Sequence, residues 1–478
     1  MSATPNVQRF GLAIGDGREP TSWLEVFDKY HGTLAYQVAA ATVEDLDAAV
    51  GLARAAVRSR IPAHRRYEIL SAAAALLEER SQEFVDALII EGGKPRKAST
   101  AEVARSVETL RWSAEEAKRI GGETIPLDAA ANGVGRLGMT LREPVGVVAA
   151  ITPTNSPLNL VAHKVGPALA AGNAVVLKPP QATPICSLLL REVILAAGLP
   201  AEYFSIVAGP GLGDPLLTHQ GIDFYNFTGS IPVGEHLRRT VGLRDALLEL
   251  GGNSPVLVHS DADVRRAATA CATKGFLAAG QACTSVQRTY VHDSILDAFL
   301  SELTSVVNAL GVGDPQDPDT DVGPMISERE ADRVEEWIGE ALDAGARRLT
   351  GGRRKGAVVW PTVLADVPRQ ARAYCEEVFG PVVVVEPYSD LDDAIAAAND
   401  TPYGLHAAVF TTSLDVAFAA IHALEAGAVL VNEGTQWRTE FVPFGGIKKS
   451  GSGREGPRYA VEQMTRLKTV MLALEDRS

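Results

Sequence analysis

The chain has 478 residues, is 46% hydrophobic and 22% charged, and carries a formal net charge of −14. This is enough core for two or three globular domains, and the acidic balance speaks against nucleic acid or an anionic membrane as partner. No apolar run reaches the roughly 18 residues of a spanning helix, and "MSATPNVQRFGLAIGDGREP" lacks the basic start and apolar run of a signal peptide, so the cytoplasm is the expected location. Cys186, Cys271, Cys283 and Cys375 form no CxxC pair, so neither a disulfide framework nor a metal site is expected.

Helices come first. Thr42 and Asp45 make a T-x-x-D start before "VEDLDAAVGLARAAVRSR", and a second helix after Pro62 puts Ile69, Leu70, Ala73, Leu76 and Leu77 on one face. The segment 120–145 is Gly-rich and alternating, and reads as a protruding hairpin. From Gly146 the pattern changes. "GVVAAIT" (146–152), "AVVLKP" (174–179), "FSIVAG" (204–209) and "FYNFTG" (224–229) are short apolar strand candidates, with helical stretches at 158–171, 183–197 and 231–241. Such alternation predicts a doubly wound parallel sheet. A second α/β series follows Gly252, with strands predicted at 254–259, 288–293, 381–388, 406–411 and 427–434.

Three residues invite chemistry. Cys283 lies in "GQACTS", in a loop or at a helix end, where a thiolate can serve as a nucleophile. Glu249 opens "ELGGNSP"; a carboxylate on a glycine hinge can swing and take a proton from a thiol or a water. Asn155 sits in "ITPTNSPLNL", where two prolines stiffen the turn and its amide can stabilise an oxyanion. Taken singly, each is more often structural: a buried thiol, a surface acid, a turn asparagine. "FTGSIPVG" (227–234) offers a helix N-terminus that suits a pyrophosphate. No G-x-G-x-x-G follows a strand, and "GPGLGDP" (209–215) does not fit that fingerprint.

Together these pieces resemble the aldehyde dehydrogenase superfamily from about residue 40 to 470. The resemblance rests on "TPTNSPLN", "LKPPQATP", "FTGS", "ELGGNSP", "GQACTS", "EEVFGPV" and "PFGGIKKSGSGREG", in that order, with 34 residues from Glu249 to Cys283 and 23 from Asn155 to Lys178. The nearest look is to the branch acting on lactaldehyde, phosphonoacetaldehyde and, without phosphorylation, glyceraldehyde 3-phosphate.

The resemblance implies an α/β fold with a Rossmann-like NAD(P)-binding domain (1–119 and 146–252), an α/β catalytic domain (253–440) and a small oligomerisation arm (120–145 and 460–478). It implies a homodimer or homotetramer. It implies that the Cys283 thiolate attacks an aldehyde, that Asn155 and the Cys283 amide hold the oxyanion, and that a hydride leaves for NAD or NADP. Glu249 would then activate water to hydrolyse the thioester, with Lys164 and Glu455 as a proton relay.

Cofactor positions carried over are Thr152, Pro153, Thr154, Lys178, Gln181, Gly211, Gly229, Ser230, Gly234, Leu250, Gly251, Glu377 and Phe379. Gln181 departs from the Glu often found there for the ribose 2′-hydroxyl, which leaves NAD and NADP both open. Arg111 and Arg438 resemble arginines that grip small anionic aldehydes, beside Ser156. Ala282 and Ser156 stand where such relatives often have Arg and Tyr or His. A CoA-acylating dehydrogenase and a non-catalytic NAD(P)-binding relative are the alternatives; Glu249 favours hydrolysis over the first.

Overall fold

The structure, a computed structural model, describes residues 7–15 and 19–474. Strands β1 (Gln8–Phe10), β2 (Trp23–Phe27) and β3 (Leu34–Ala39) form a small N-terminal sheet in the order β1-β3-β2. Helix α1 (Val43–Ala56) starts at the predicted capping box: the Thr42 hydroxyl accepts from the Asp45 amide and the Asp45 carboxylate accepts from the Thr42 amide. Helices α2 (Ala63–Glu79), α3 (Ser81–Gly92) and α4 (Arg96–Ala117) follow. One face of α4 is buried although polar, with Glu102, Ser106, Thr109 and Ser113 at helical spacing. The Ser106 and Ser113 hydroxyls donate back to carbonyls one turn earlier, which satisfies them inside the helix.

β4 (Thr124–Ile125) and β5 (Arg136–Pro144) are the predicted hairpin. The first large sheet then assembles from β6 (Val147–Ile151), helix α5 (Asn159–Ala170), β7 (Ala174–Lys178), α6 (Ile185–Ala196), β8 (Phe204–Ile206), α7 (Gly213–Thr218), β9 (Phe224–Thr228), α8 (Ile231–Val241) and β10 (Asp245–Glu249). Its order is β8-β7-β6-β9-β10, all parallel, with the late strand β20 antiparallel at the edge. Strand order therefore reverses between β6 and β9, and ligands of such sheets bind outside the carboxyl ends at that switch point. The loop carrying Asn155 leaves β6 there, and the loop carrying Ser230 leaves β9.

Past Gly252 come β11 (Ser254–Val258), helix α9 (Val264–Phe276), β12 (Val286–His292), β13 (Arg347–Thr350), the short pair β14 (Arg354–Lys355) and β15 (Val358–Val359), β16 (Thr362–Ala365), β17 (Val382–Tyr388), β18 (His406–Phe410) and β19 (Ala428–Val431). They build a seven-stranded sheet, β13-β16-β17-β12-β11-β18-β19, parallel except at β13. The chain then returns: β20 (Gly451–Ser452) joins the first sheet, and Ala460, Val461 and Met464 pack into the first core. β21 (Thr465–Ala473) pairs antiparallel along all of β5 and leaves Leu137, Leu141, Leu467, Met471 and Leu472 exposed. Among the described residues no helix is long and apolar enough to cross a membrane.

Glu249 departs from the hinge expected of it. It is the last residue of β10, in register with Thr228 on one side and Gly451 on the other, so its backbone is held in the ladder. The glycines after it answer to crowding. A Cβ on Gly251 would stand 2.3 Å from a Glu377 carboxylate oxygen, and one on Gly252 would stand 2.1 Å from the Cys283 carbonyl. Only glycine permits both approaches.

Candidate active site

The nucleophile loop follows α9 through a tight turn, Leu277–Gly280, in which Ala278 and Ala279 both adopt left-handed backbone (φ 51° and 55°). Non-glycine residues hold such angles only where their surroundings impose them. Here Gln281 donates to the Ala278 carbonyl at 3.1 Å and accepts from the Ile326 amide at 2.9 Å. The Thr435 hydroxyl donates to the Thr284 carbonyl at 2.7 Å, and Ser285 to the Gly275 carbonyl at 2.9 Å. Burial pushes the Cys283 thiol up to about 12, Glu377 adds to this, and the positive Arg438 opposes it.

On one side of the thiol, Glu249 is buried and neither carboxyl oxygen has a hydrogen-bond partner among the described residues. Burial, followed by the negative charge of Glu455, raises its pKa well above the usual carboxylate range. Glu455 is buried too, yet the charge of Lys164 above all, with that of Arg438, outweighs burial and keeps it ionised. Lys164 is wholly buried and donates to Glu455 at 2.8 Å, Asn226 at 2.9 Å and Thr228 at 2.7 Å. The structure thus brings Glu249, Glu455 and Lys164 into one electrostatically connected group.

Asn155 sits in the turn before α5, half-buried, its side-chain oxygen unpartnered. Its carbonyl accepts from Lys94 at 3.0 Å, and Lys94 is ion-paired to Glu102. The other Glu102 oxygen accepts from the Leu158 and Asn159 amides at 3.0 and 3.1 Å, which caps α5. Ser156 lies half-buried in the same turn.

On the far side, Arg438 is buried over the Phe444 ring at 4.0 Å from the centroid and 3.8 Å from Glu440. Glu440 is the hub: it also takes Arg105 at 2.5 Å, His163 at 2.5 Å, Asn159 at 3.2 Å and Thr109 at 3.5 Å. Burial works against its charge, but His163 and the two arginines hold it far below the ordinary carboxylate range. Burial keeps His163 neutral, so its Nε2 proton goes to Glu440 and Nδ1 is left unpartnered.

Arg111 is not part of this group. Arg105 and Thr109, one turn apart, share the inner face of α4, whereas Arg111 lies two residues further round, exposed and paired with Glu78 and Glu108 at 2.7 and 2.9 Å.

The cofactor positions surround the carboxyl ends of the first sheet. Thr152, Pro153 and Thr154 follow β6, Lys178 ends β7, Gln181 lies exposed in the next turn, and Gly211 (φ 70°) is exposed before α7. Gly229 and Ser230 precede α8, and a Cβ on Gly234 would stand 2.5 Å from Leu250. Glu377 accepts from the Gly252 amide at 3.0 Å, burial pushing it up to about 7, and Phe379 has left-handed backbone (φ 47°).

A pyrophosphate calls for free amides at this end of the sheet, and the helix N-termini differ in what they offer. α5 is capped by Glu102, and α6 by Glu91, whose carboxylate accepts from the Ile185 and Cys186 amides at 2.7 and 2.9 Å. Both ends are already occupied by a carboxyl group, that of Glu91 pushed up to about 7 by burial. Among the described residues α8, like the much shorter α7, has no side-chain cap, so the first amides of α8 remain available to a pyrophosphate. This accounts for the missing G-x-G-x-x-G after β6: an internal carboxylate holds that helix end.

A doubly wound sheet with an uncapped α8 N-terminus at its carboxyl ends, beside a buried thiol and a buried acid, describes a nucleotide-dependent oxidoreductase. The chain belongs to the aldehyde dehydrogenase family, whose model matches residues 16–470. It is 45% identical to 3-sulfolactaldehyde dehydrogenase of Priestia aryabhattai, over 99% of this chain and all of that one. Its fold is similar to the succinate complex of aldehyde dehydrogenase 21 from Physcomitrella patens (TM-score 0.95, 38% identity, 98% of each chain). It is equally similar to NADP-dependent glyceraldehyde-3-phosphate dehydrogenase from Bacillus halodurans in complex with NADP (TM-score 0.95, 34% identity, 98% of this chain and 100% of that one). The protein is therefore an oxidoreductase that oxidises an aldehyde with NAD or NADP.

Sequence patterns did not single out Lys94, Glu102, Arg105, His163 and Glu440. The available signal was charge at buried helical spacing: Glu102, Arg105 and Thr109 on α4, and Glu440 two residues beyond Arg438.

Proposed function

We propose that the protein oxidises a small aldehyde with an anionic tail to its carboxylic acid, through a thioester on Cys283. Cys283 attacks the aldehyde carbon; the Asn155 amide and the Cys283 backbone N–H hold the oxyanion. In the resting state burial favours the protonated forms of both Cys283 and Glu249. The α8 N-terminus, Lys178 and Glu377 would hold the nicotinamide cofactor, which would supply the hydride acceptor and a positive charge that favours the thiolate. Glu249, once ionised, takes a proton from water so that the hydroxide opens the thioester. Glu455 and Lys164 pass that proton away. Thr152–Thr154, Gln181, Gly211, Gly229, Ser230, Gly234, Leu250, Gly251 and Phe379 complete the cofactor's surroundings.

The observation that carries the substrate class is Arg438, a buried arginine whose charge is felt by the nucleophile. Arg105 replaces Arg111 as its companion. The names of the relatives agree in chemistry: a sulfonated aldehyde, a phosphorylated one and a bound dicarboxylate. We place cofactor binding in 1–119 and 146–252, catalysis in 253–440 and oligomerisation in the β5–β21 sheet with its exposed apolar residues, in a cytoplasmic homodimer or homotetramer. Steady-state oxidation of sulfonated, phosphorylated, carboxylated and neutral aldehydes of matched length, with NAD and with NADP, tests the reading. Equal kcat/KM for charged and neutral aldehydes would overturn it.

A further inference from the structure

We propose that Glu440 sets the charge of the substrate's tail at one, so that the site accepts a sulfonate or carboxylate and discriminates against a phosphate. The inference rests on the anionic-aldehyde reading and deepens it.

The charged side chains on the two sides of Cys283 can be counted from their contacts. Glu455 and Lys164 face each other at 2.8 Å and cancel. Around the tail side stand two guanidiniums, Arg105 and Arg438, and a single carboxylate, Glu440, within 2.5 and 3.8 Å of them. The Glu440 side chain is 4% exposed and accepts from Arg105 through one oxygen and from His163 and Asn159 through the other. It is fully bonded and fixed in place. With His163 held neutral by its burial, the cluster therefore carries one uncompensated positive charge.

That charge lies mainly on Arg438. Arg105 points its Nε at Glu440 and is 41% exposed, so solvent and Glu440 already serve it. Arg438 is 9% exposed and stacks on Phe444; its Glu440 contact, at 3.8 Å, is too long for a hydrogen bond. A singly charged tail completes its pairing and leaves the cluster neutral. A doubly charged tail brings a second negative charge with no buried cation to meet it, next to a carboxylate that cannot move away. Such a buried, unpaired charge is costly.

The test compares three aldehydes on one three-carbon frame: 3-sulfolactaldehyde, glyceraldehyde 3-phosphate and uncharged glyceraldehyde. The measurement is kcat/KM in holoenzyme at a pH where the phosphate is dianionic. Wild type should prefer sulfonate to phosphate. Glu440→Gln should move that ratio toward phosphate by at least about tenfold, equivalent to roughly 1.4 kcal/mol, whereas Glu440→Asp, which keeps the charge, should hold it. The ratio is internal to each variant, so a general loss of activity does not disturb it. If Glu440→Gln turns over too slowly, calorimetric affinities of the corresponding acids, 3-sulfolactate and 3-phosphoglycerate, give the same ratio. An unchanged ratio in Glu440→Gln, an equal change in Glu440→Asp, or a wild-type preference for phosphate overturns the role of Glu440. A wild type that favours neither anion over glyceraldehyde overturns the anionic-aldehyde reading itself.

Discussion

Two buried ionic groups flank Cys283, and they differ in how their carboxylates are bonded. Glu440 has both oxygens engaged by four neighbours. Among the described residues Glu249 has neither engaged, and one oxygen of Glu455 has no partner either. A buried carboxylate with all its acceptors filled is a fixed charge; its environment opposes protonation over the whole working range. One with none filled holds its proton and is free to turn. The same residue type is thus a structural anion on one side and a proton carrier on the other. The contrast predicts that variants on the Glu249 side change rates and pH dependence, whereas those on the Arg438 side change selectivity.

The largest effect lies between the two groups. Cys283→Ser should reduce dehydrogenase turnover by about 10⁴-fold or more, the scale of losing a covalent nucleophile, while binding of NAD or NADP, followed by fluorescence, stays close to wild type. Appreciable turnover would remove the thioester chemistry and with it the meaning of both flanks.

Glu249→Gln comes next. The amide cannot accept the water proton, so stopped-flow absorbance at 340 nm should show a burst of about one equivalent of reduced cofactor per site, then a steady state lower by about 10²–10⁴-fold. Burst and steady state falling together would mean that the orphaned oxygens serve acylation as well.

Arg438→Ala should raise KM for an anionic aldehyde about 10–150-fold more than for a neutral one, the range of a charge-assisted pair worth roughly 1.5–3 kcal/mol. Arg438→Lys should recover only part, since an ammonium lacks the planar fork. Equal losses on both substrates would make Arg438 a packing residue on Phe444.

How much of this was legible beforehand divides along the same line. The strands predicted in both α/β halves and the helices predicted in the first stand where apolar runs and helical periodicity put them, because each half buries its strands on both faces, whereas β10, β13 and β16 carry no such signal. Cys283, Glu249 and Asn155 were legible as a motif set. Glu249 looks hinged in the sequence because β10 is short and its pairing with β20 comes from residues about 200 positions later in the chain. Glu440 and His163 escaped notice for a related reason: a buried charge makes sense only with its partners, and these come from α4, α5 and the loop before Phe444.

A milder change tests the electrostatics on the Glu249 side. Glu249 works as a base only above its own pKa, so kcat should fall as pH drops through a value above the ordinary carboxylate range. The negative charge of Glu455 is one cause of that elevation. Glu455→Gln removes it and leaves Lys164 less neutralised, and both changes favour the Glu249 carboxylate. The acid limb of the kcat profile should therefore move to lower pH, by about one unit for each 1.4 kcal/mol of lost repulsion. A limb that moves up, or stays, would place Glu455 outside the electrostatic reach of the base.

The smallest effect belongs to Arg111, and its smallness is the informative part. Arg111 and Arg105 are six residues apart on one helix, and sequence alone does not distinguish them as anion ligands. The structure does. Arg105 bonds the buried Glu440, whereas Arg111 bonds Glu78 and Glu108, both of them half-exposed or more. Exposed pairs of this kind contribute about 0–1 kcal/mol to stability. Arg111→Ala should leave kcat/KM for anionic and neutral aldehydes within about twofold and lower the melting temperature by a few degrees at most, corresponding to roughly 1 kcal/mol or less. Arg105→Ala should instead leave Glu440 with Arg438 as its sole nearby guanidinium. The two would draw together, Arg438 would be less available to the tail, and KM for the anionic aldehyde should rise while KM for the neutral one changes little. If Arg111→Ala shows that selective rise and Arg105→Ala does not, the inner face of α4 is not the substrate face. The tail site would then have to be sought across the outer surface of that helix.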